Sequence, residues 1–178
     1  MAILKFTKYF LRQDFISGDR AKELAPHWEK HNDDFVSLFY DGHNCFNSLL
    51  ANDKVGCSKI LDNMRDFIDD NRKGWNKEVV TKVGVALGEG IIAYFDQDYN
   101  KSVDQLSKIM NDLQNWIQGS QAQKDIFRQI LLDACIKSGS KSNQALAREI
   151  LDKRLVELKL KNHSPVNQQF LERIISMA

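Results

Sequence analysis

The sequence has few prolines and no excess of charge of either sign. Its 178 residues include two prolines, and 25 Lys and Arg residues balance 24 Asp and Glu residues, which gives a net charge of +1. Proteins that bind DNA or RNA need clustered, excess cationic side chains to contact phosphates. A net charge this close to zero therefore argues against a nucleic-acid partner.

Long apolar runs are also absent. No uninterrupted stretch approaches the roughly 20 apolar residues that span a bilayer. Near the start of the chain, Lys5 and Lys8 interrupt the apolar residues, and no small-residue cleavage site follows them. This pattern is typical of an amphipathic helix rather than a secretory signal. The sequence thus predicts a soluble protein that does not bind a membrane.

Cysteine is scarce as well. Cys45, Cys57 and Cys135 are an odd number and lack the CxxC spacing of a closed zinc site. We therefore expect neither a disulfide framework nor a metal site, and no cofactor is predicted. All three thiols are expected to be reduced and unpaired. Cys45 and Cys135 are expected to be buried at equivalent positions in the interfaces between paired helices. Unpaired cysteines are typical of a reducing compartment.

What the chain does contain is apolar residues at helical spacing along most of its length. Val83, Leu87, Ile91 and Tyr94 show the pattern, each three or four residues after the last. Breaks rich in turn-forming and capping residues separate such segments. Nine helices are predicted, near 2–16, 19–30, 34–51, 54–70, 77–96, 100–117, 121–138, 142–159 and 165–176. The predicted fold class is therefore all-α, in a single domain over 1–178.

A shift of 45 residues aligns three of the predicted helix pairs. Three small residues, Cys45, Gly90 and Cys135, then occupy equivalent positions on the first helices of the pairs. The polar residues Asp53, Asp98 and Asn143 are aligned in the turns, and the small residues Cys57, Ser102 and Ala147 are aligned at the starts of the second helices. Small residues at a helix interface let the two backbones approach. The repeat predicts an α-solenoid of tetratricopeptide-like antiparallel helix pairs, with an irregular bundle as the alternative. The pairs cover about 2–31, 33–71, 77–117 and 120–159, followed by a C-terminal capping helix over 165–176.

Candidate reactive side chains are densest at Asp41, His43 and Cys45. Helix positions two apart point about 200° away from each other, so His43 is poorly placed to activate Cys45 as a nucleophile. We expect Asp41 and His43 to face a groove instead, with His43 as a hydrogen-bonding or pH-sensitive contact. Ser120, with Gln123 three residues later, matches the capping box of a helix start.

Three stretches of the chain resemble a known family. Residues 19–25 (DRAKELA), 39–46 (FYDGHNCF) and 118–127 (QGSQAQKDIF) are similar, in this order, to the C-terminal part of the tetratricopeptide repeat protein 38 family. The chain departs from the family pattern at Ala21, Gly42, Gln118 and Gln121. Because family members are much longer, the resemblance implies a fragment or a shortened relative. It also implies an α-solenoid in a cytoplasmic protein that acts through surface recognition.

The resemblance carries over a set of positions for which it implies no enzymatic role: Asp41, His43, Gly119, Ser120, Gln123 and Asp125. No catalytic residue is predicted. The predicted function is a non-enzymatic interaction module that binds a protein or peptide in a concave groove lined by the first helices of the pairs.

In this prediction the start of the helix at Ser120 receives an acidic or C-terminal peptide, because free N–H groups there suit an anion. Ser120 and Gln123 mainly cap that helix, and Asp125 orients a neighbouring basic side chain. Two alternatives stay open. One is an enzyme whose polar groove site surrounds Asp41, His43, Gln123 and Asp125, and the other is a structural fragment that self-associates as a homo-oligomer.

Overall fold

A computed structural model describes residues 18–32, 37–71, 73–157 and 165–176. These residues form eight helices and no strand, which confirms the predicted all-α fold. The helices are α1 (Gly18–Glu29), α2 (Leu38–Leu50), α3 (Lys54–Asp69), α4 (Trp75–Val79, a π-helical turn Val80–Gly84, and Val85–Phe95), α5 (Tyr99–Trp116), α6 (Gln121–Lys137), α7 (Lys141–Glu157) and α8 (Pro165–Ile175). The helix predicted near 2–16 lies outside the described residues. No helix within the described ranges is both long and apolar enough to cross a membrane.

Of the three turns that the 45-residue shift aligns, the first two, between α2 and α3 and between α4 and α5, have the same structure. Asn52 and Gln97 both have a φ of 63°, the left-handed conformation that ends a helix. The next residues, Asp53 and Asp98, cap the following helices by accepting hydrogen bonds from backbone N–H groups three residues later, at 2.8 and 3.1 Å. The α2–α3 and α4–α5 hairpins therefore share one turn geometry, as the sequence repeat predicts.

The third of these turns, between α6 and α7, differs from the other two, and the position predicted for it was wrong. Asn143 was expected in the turn but lies in the first turn of α7, where its amide donates to Ser138 Oγ at 2.9 Å. The reason is that α6 ends at Lys137, and Gly139 takes a left-handed φ of 68° immediately after it. The chain therefore reverses earlier than the 45-residue shift predicts.

Small residues on α4 let its neighbours pack closely. A Cβ atom added at Gly90 would lie 2.6 Å from Leu106 Cδ2 of α5, and one added at Gly88 would lie 2.9 Å from Leu61 Cδ1 of α3. Such distances exclude a larger residue unless the leucines move. The Ser102 hydroxyl also donates to the Gly90 carbonyl at 2.9 Å, which fixes the α4–α5 register.

A disulfide joins Cys45 on α2 to Cys57 on α3, so the expectation that all cysteines are unpaired was wrong. The two residues face each other across the α2–α3 hairpin with their Cα atoms 4.7 Å apart, well within the range that a disulfide spans. Their separation of 12 residues is no recognised signature, and this is why the sequence did not reveal the pair. Cys135 is free and buried. Because two of the three cysteines are paired, they no longer support the prediction that the protein resides in a reducing compartment.

The interior of the fold is built around α2, α4 and α6. Every residue over 41–49 in α2 and over 124–136 in α6 is buried. Helix α6 contacts α4, α5, α7 and α8, and α4 also contacts α2 and α3. Helix α6 therefore occupies the centre of the C-terminal half, in contact with four other helices.

The disulfide gives a direct prediction about thiol content. Protein purified without reductant and then denatured should react with a thiol reagent at one cysteine per chain, Cys135, and at all three after reduction. Cys57→Ser is the control and should raise the unreduced count to two. Three reactive thiols in unreduced wild-type protein would contradict the structure.

Candidate functional site

Asp41 and His43 both lie in the interior, with exposed fractions of 5% and 2%. The imidazole of His43 packs between two phenylalanine rings, with centroid distances of 4.3 Å to Phe39 and 5.1 Å to Phe127. Its Nδ1 lies 2.7 Å from the Phe39 carbonyl oxygen, which can only accept, so Nδ1 carries the proton and donates. His43 is therefore a core residue that closes one turn of α2.

The surroundings of His43 favour its neutral form. Burial lowers the pKa of His43 from 6.5 to about 4, and the hydrogen bond to the Phe39 carbonyl opposes this only in part. Its Nε2 atom is buried and has no hydrogen-bond partner among the described residues. A second proton on this ring would thus enter an apolar interior without an acceptor.

Asp41 lies beside a separate cavity of about 480 Å³ near the end of α1. Its lining includes His27 and Trp28 of α1 and Tyr40 of α2, and the Trp28 and Tyr40 rings lie 5.9 Å apart. Asp41 and His43 therefore face different surroundings, although they are two positions apart on one helix.

The turn before α6 forms the predicted capping box. Gln123 Oε1 accepts a hydrogen bond from the Ser120 backbone N–H at 2.8 Å. Gly119 has a φ of 101°, and a Cβ atom added to it would lie 2.9 Å from the Phe39 ring. Glycine is thus required here both by the backbone conformation and by the close approach of Phe39.

Two of the three stretches that carry the family resemblance, 39–46 and 118–127, therefore meet in the structure. They meet through aromatic packing, since Phe39 covers Gly119 and His43 packs on Phe127. The His43–Phe127 contact is buried, whereas the Phe39–Gly119 contact lies at the surface, with Phe39 half-buried and Gly119 exposed.

Asp125 is 5% exposed and is paired with Arg154 of α7. Arg154 Nε and Nη2 donate to its two carboxylate oxygens at 2.8 and 2.7 Å, a bidentate pair. Gln129 donates to the same carboxylate at 2.6 Å, and Arg154 also donates to Asn167 of α8. Asp125 thus orients a basic side chain, and the pair joins α6 to α7 and α8.

Asp133, two turns further along α6, forms a second buried network. It accepts hydrogen bonds from the Tyr94 hydroxyl at 2.5 Å and from Arg173 of α8 at 2.6 Å, and it forms an ion pair with Lys137 at 2.8 Å. Burial alone would raise the pKa of Asp133, but the Lys137 and Tyr94 hydrogen bonds and the Arg173 charge hold it below its usual value. Burial, followed by the Asp133 charge, raises the pKa of Tyr94.

Both networks start from one row of polar residues on α6, which sequence reasoning missed. Asp125, Gln129, Asp133 and Lys137 are spaced four residues apart and form one polar stripe along α6. The signal was the recurrence of polar residues at i, i+4, i+8 and i+12 from Asp125 onward. Their charged partners, Arg154 and Arg173, could not be identified without the fold.

The five predicted site residues do not line one groove. Ser120 and Gln123 are joined in the helix cap, Asp125 is enclosed against α7, His43 lies in the core, and Asp41 lies beside the cavity near α1. The first helices of the pairs, expected to form an open concave surface, are instead the most buried. Their low exposure follows from the neighbours packed around them.

A second groove, larger than the cavity near α1, lies between α5 and α7, with α6 as its floor, and has a volume of about 730 Å³. One wall is a single face of α5, the other is a single face of α7, and α6 supplies the residues between them. The lining consists of Ser107, Met110, Asn111, Gln114 and Asn115 of α5; Gln121, Arg128 and Leu131 of α6; and Leu146, Glu149, Ile150 and Lys153 of α7.

The two walls of this groove differ in chemistry. The α5 wall carries the carboxamides of Asn111, Gln114 and Asn115, whereas the α7 wall presents Leu146 and Ile150 beside the Lys153–Glu149 ion pair. The oxygen and the nitrogen of the Gln114 amide are both buried and have no hydrogen-bond partner among the described residues. An amide left in this condition costs about 1–3 kcal/mol, so a ligand that pairs with it is favoured.

Comparison with known proteins gives no further guide: no protein-family model and no solved structure matches the chain. Within the described ranges, no three His, Cys, Asp or Glu side chains lie together in a way that could hold a metal ion. The groove is therefore the candidate functional site, on the strength of its volume and its unpartnered amide.

The buried imidazole of His43 predicts acid sensitivity. Its pKa is about 4 in the folded chain against 6.5 when unfolded, so its contribution to stability is complete above pH 6.5 and is lost as the pH falls toward 4. Between pH 7 and pH 4 wild-type protein should lose about 3 kcal/mol more unfolding free energy than His43→Gln. Denaturant titrations across this range measure the difference. The control is His27→Gln, which removes an exposed histidine and should lose as much unfolding free energy between pH 7 and pH 4 as wild type does. Equal losses for wild type and His43→Gln would contradict the burial of a neutral His43.

The Asp125–Arg154 pair predicts a large loss on removal of one partner. Asp125→Ala leaves a buried arginine without its carboxylate and should cost about 3–5 kcal/mol of unfolding free energy. Asp104→Ala is a matched control, because Asp104 pairs with Lys108 at the same 2.7 Å distance with both side chains 59% exposed. That control should cost less than about 1 kcal/mol. Equal costs for the two variants in chemical denaturation would contradict a structural role for the buried pair.

Proposed function

We propose that this chain is a non-enzymatic protein-interaction module that binds an extended peptide in the groove between α5 and α7. The proposal includes an α-solenoid arrangement of tetratricopeptide-like helix pairs and a relationship to the tetratricopeptide repeat protein 38 family. It keeps the predicted class of partner, a protein or peptide, and the predicted cytoplasmic location. It moves the binding surface from the first helices of the pairs to the second helices.

The pattern of helix contacts supports the solenoid arrangement. Helix α4 contacts α2 and α6, and α6 contacts α8, so alternate helices form one continuous layer. The α2–α3 and α4–α5 hairpins have the same turn. A layer of alternate helices with hairpin partners on one side is typical of stacked helix pairs.

The dimensions of the groove suit an extended peptide. Its α5 wall runs from Ser107 to Asn115, about 12 Å at 1.5 Å per helical residue. An extended chain advances about 3.3 Å per residue, so about four peptide residues fit along the wall. Carboxamides donate and accept, as peptide groups do, and Leu146 and Ile150 of the α7 wall are suited to apolar side chains.

The observation that carries the proposal is the Gln114 amide. Its oxygen and nitrogen are buried in the groove wall without partners among the described residues. A residue needed only for folding would be expected to satisfy these atoms or to be apolar. A peptide N–H and carbonyl placed against Gln114 would satisfy both.

The two alternative functions have less support. His43, Gln123 and Asp125 hydrogen-bond to three different partners, Phe39, Ser120 and Arg154, which does not favour a shared catalytic site. Self-association has one supporting observation, since Leu171 and Ile175 are 46% and 59% exposed on one side of α8.

The experiment uses Gln114→Leu. If the amide is kept for binding, this variant should be at least as stable as wild type, and up to about 2 kcal/mol more stable, because it removes two unpaired buried polar atoms. Peptides selected from a displayed library on the wild-type chain should bind Gln114→Leu about tenfold or more weakly in titration calorimetry, since their own polar groups would be left unpaired.

Gln144→Leu provides the matched control. Gln144 is a half-buried glutamine on α7 outside the groove lining. Its substitution should leave the affinity of the selected peptides unchanged. Selected peptides that bind wild type and Gln114→Leu equally well, or a library that yields no binder, would contradict the proposed function.

A further inference from the structure

We infer that the peptide bound in this groove carries an asparagine or glutamine side chain that pairs with the Gln114 amide, an inference that rests on the proposed function. Gln114 lies where the α5 wall meets the floor, because its backbone carbonyl accepts a hydrogen bond from Lys124 of α6 at 2.7 Å. Both polar atoms of its side chain are buried without a hydrogen-bond partner among the described residues. A group that satisfies them must therefore reach the base of the wall.

The three carboxamides of the α5 wall lie at different depths. Asn111 and Asn115 are exposed, whereas Gln114 is partly buried and the polar atoms of its side chain are enclosed. An extended backbone that follows the wall therefore meets Asn111 and Asn115 first. Successive side chains of an extended chain point to opposite sides, so every second one is directed toward the wall. A side chain of the peptide, rather than its backbone, is thus the group placed to meet Gln114.

The chemistry of the Gln114 amide selects the kind of side chain. Among peptide side chains, those of Asn and Gln carry a donor and an acceptor side by side on one planar group, so two such amides can form two parallel hydrogen bonds. A carboxylate has acceptors only, a guanidinium or an ammonium has donors only, and a hydroxyl has a single oxygen for both bonds. The terminal torsion of glutamine has a broad energy minimum, so the Gln114 amide can turn toward its partner at little cost.

The backbone of the peptide matches this amide less well. In a trans peptide group the N–H and the C=O point in opposite directions, so one group satisfies one atom of Gln114. Two successive groups would be needed, and their N–H and C=O lie further apart than the nitrogen and oxygen of a carboxamide. The backbone is better suited to the exposed amides of Asn111 and Asn115, which leaves Gln114 to a side chain.

The probes are the peptides selected from the displayed library on the wild-type chain. Each is synthesised with both ends blocked, in its selected form and with every Asn or Gln replaced in turn by Leu and by the matching acid. We expect one Asn or Gln position to be shared by the selected peptides. Either replacement there should weaken binding about tenfold or more in titration calorimetry, because the buried Gln114 amide is left partly or wholly unpaired. Selected peptides that lack Asn and Gln, or that tolerate every replacement, would overturn the inference.

A double-mutant cycle shows whether the peptide amide meets Gln114 itself. On Gln114→Leu the preference should be reversed, since the Leu form of the peptide no longer leaves a polar atom unpaired whereas the carboxamide form does. Asn111→Leu is the matched control on the same wall and should keep the preference for the carboxamide form. A preference that persists in Gln114→Leu, or one that is lost in Asn111→Leu, would overturn the inference.

The same titrations separate the two proposals. Peptides that bind Gln114→Leu more weakly than wild type, but whose affinity depends on none of their own carboxamides, contradict the inference and leave the proposed function intact. Peptides that bind wild type and Gln114→Leu equally well contradict the proposed function, and the inference fails with it.

Discussion

The rest of the structure depends on the burial of α6, a helix that carries charge into the interior. Asp125 and Asp133 are both buried on it, and a buried carboxylate is tolerated only with donors and countercharges around it. Gln129 and Lys137 supply some of them from α6 itself, and the rest come from other helices, since Arg154 is on α7, Arg173 is on α8 and Tyr94 is on α4. The polar stripe thereby determines which helices surround α6 and in which register they pack.

The candidate groove is a consequence of the same arrangement. Helices α5 and α7 both pack on α6, and the groove lies between their facing sides, above α6. A helix buried by its neighbours thus becomes the floor of the candidate groove, and Arg128 belongs to that floor. The stretches around Phe39 and Gly119 contribute to packing instead, because His43 and Phe127 are buried against each other and the half-buried Phe39 covers the exposed Gly119.

Local features were predictable from the sequence, and pairings between distant segments were not. Periodicity and caps located the helices, and the repeat identified Asp53 and Asp98 as equivalent turn positions. The repeat failed at Asn143, because Gly139 ends α6 early and one conformationally free residue outweighs a weak periodic signal. The Cys45–Cys57 bond, the partners of Asp125 and the unpaired amide of Gln114 all depend on which faces meet. A single sequence contains no direct record of that.

Hydrogen exchange tests the central role of α6 most directly. If its buried polar stripe holds the C-terminal half together, amides over 124–136 should be the slowest to exchange in the chain. Their free energy of opening should equal the free energy of unfolding measured by denaturant. Exchange of this segment through an opening of lower free energy, or faster exchange than in α3 or α5, would contradict the account.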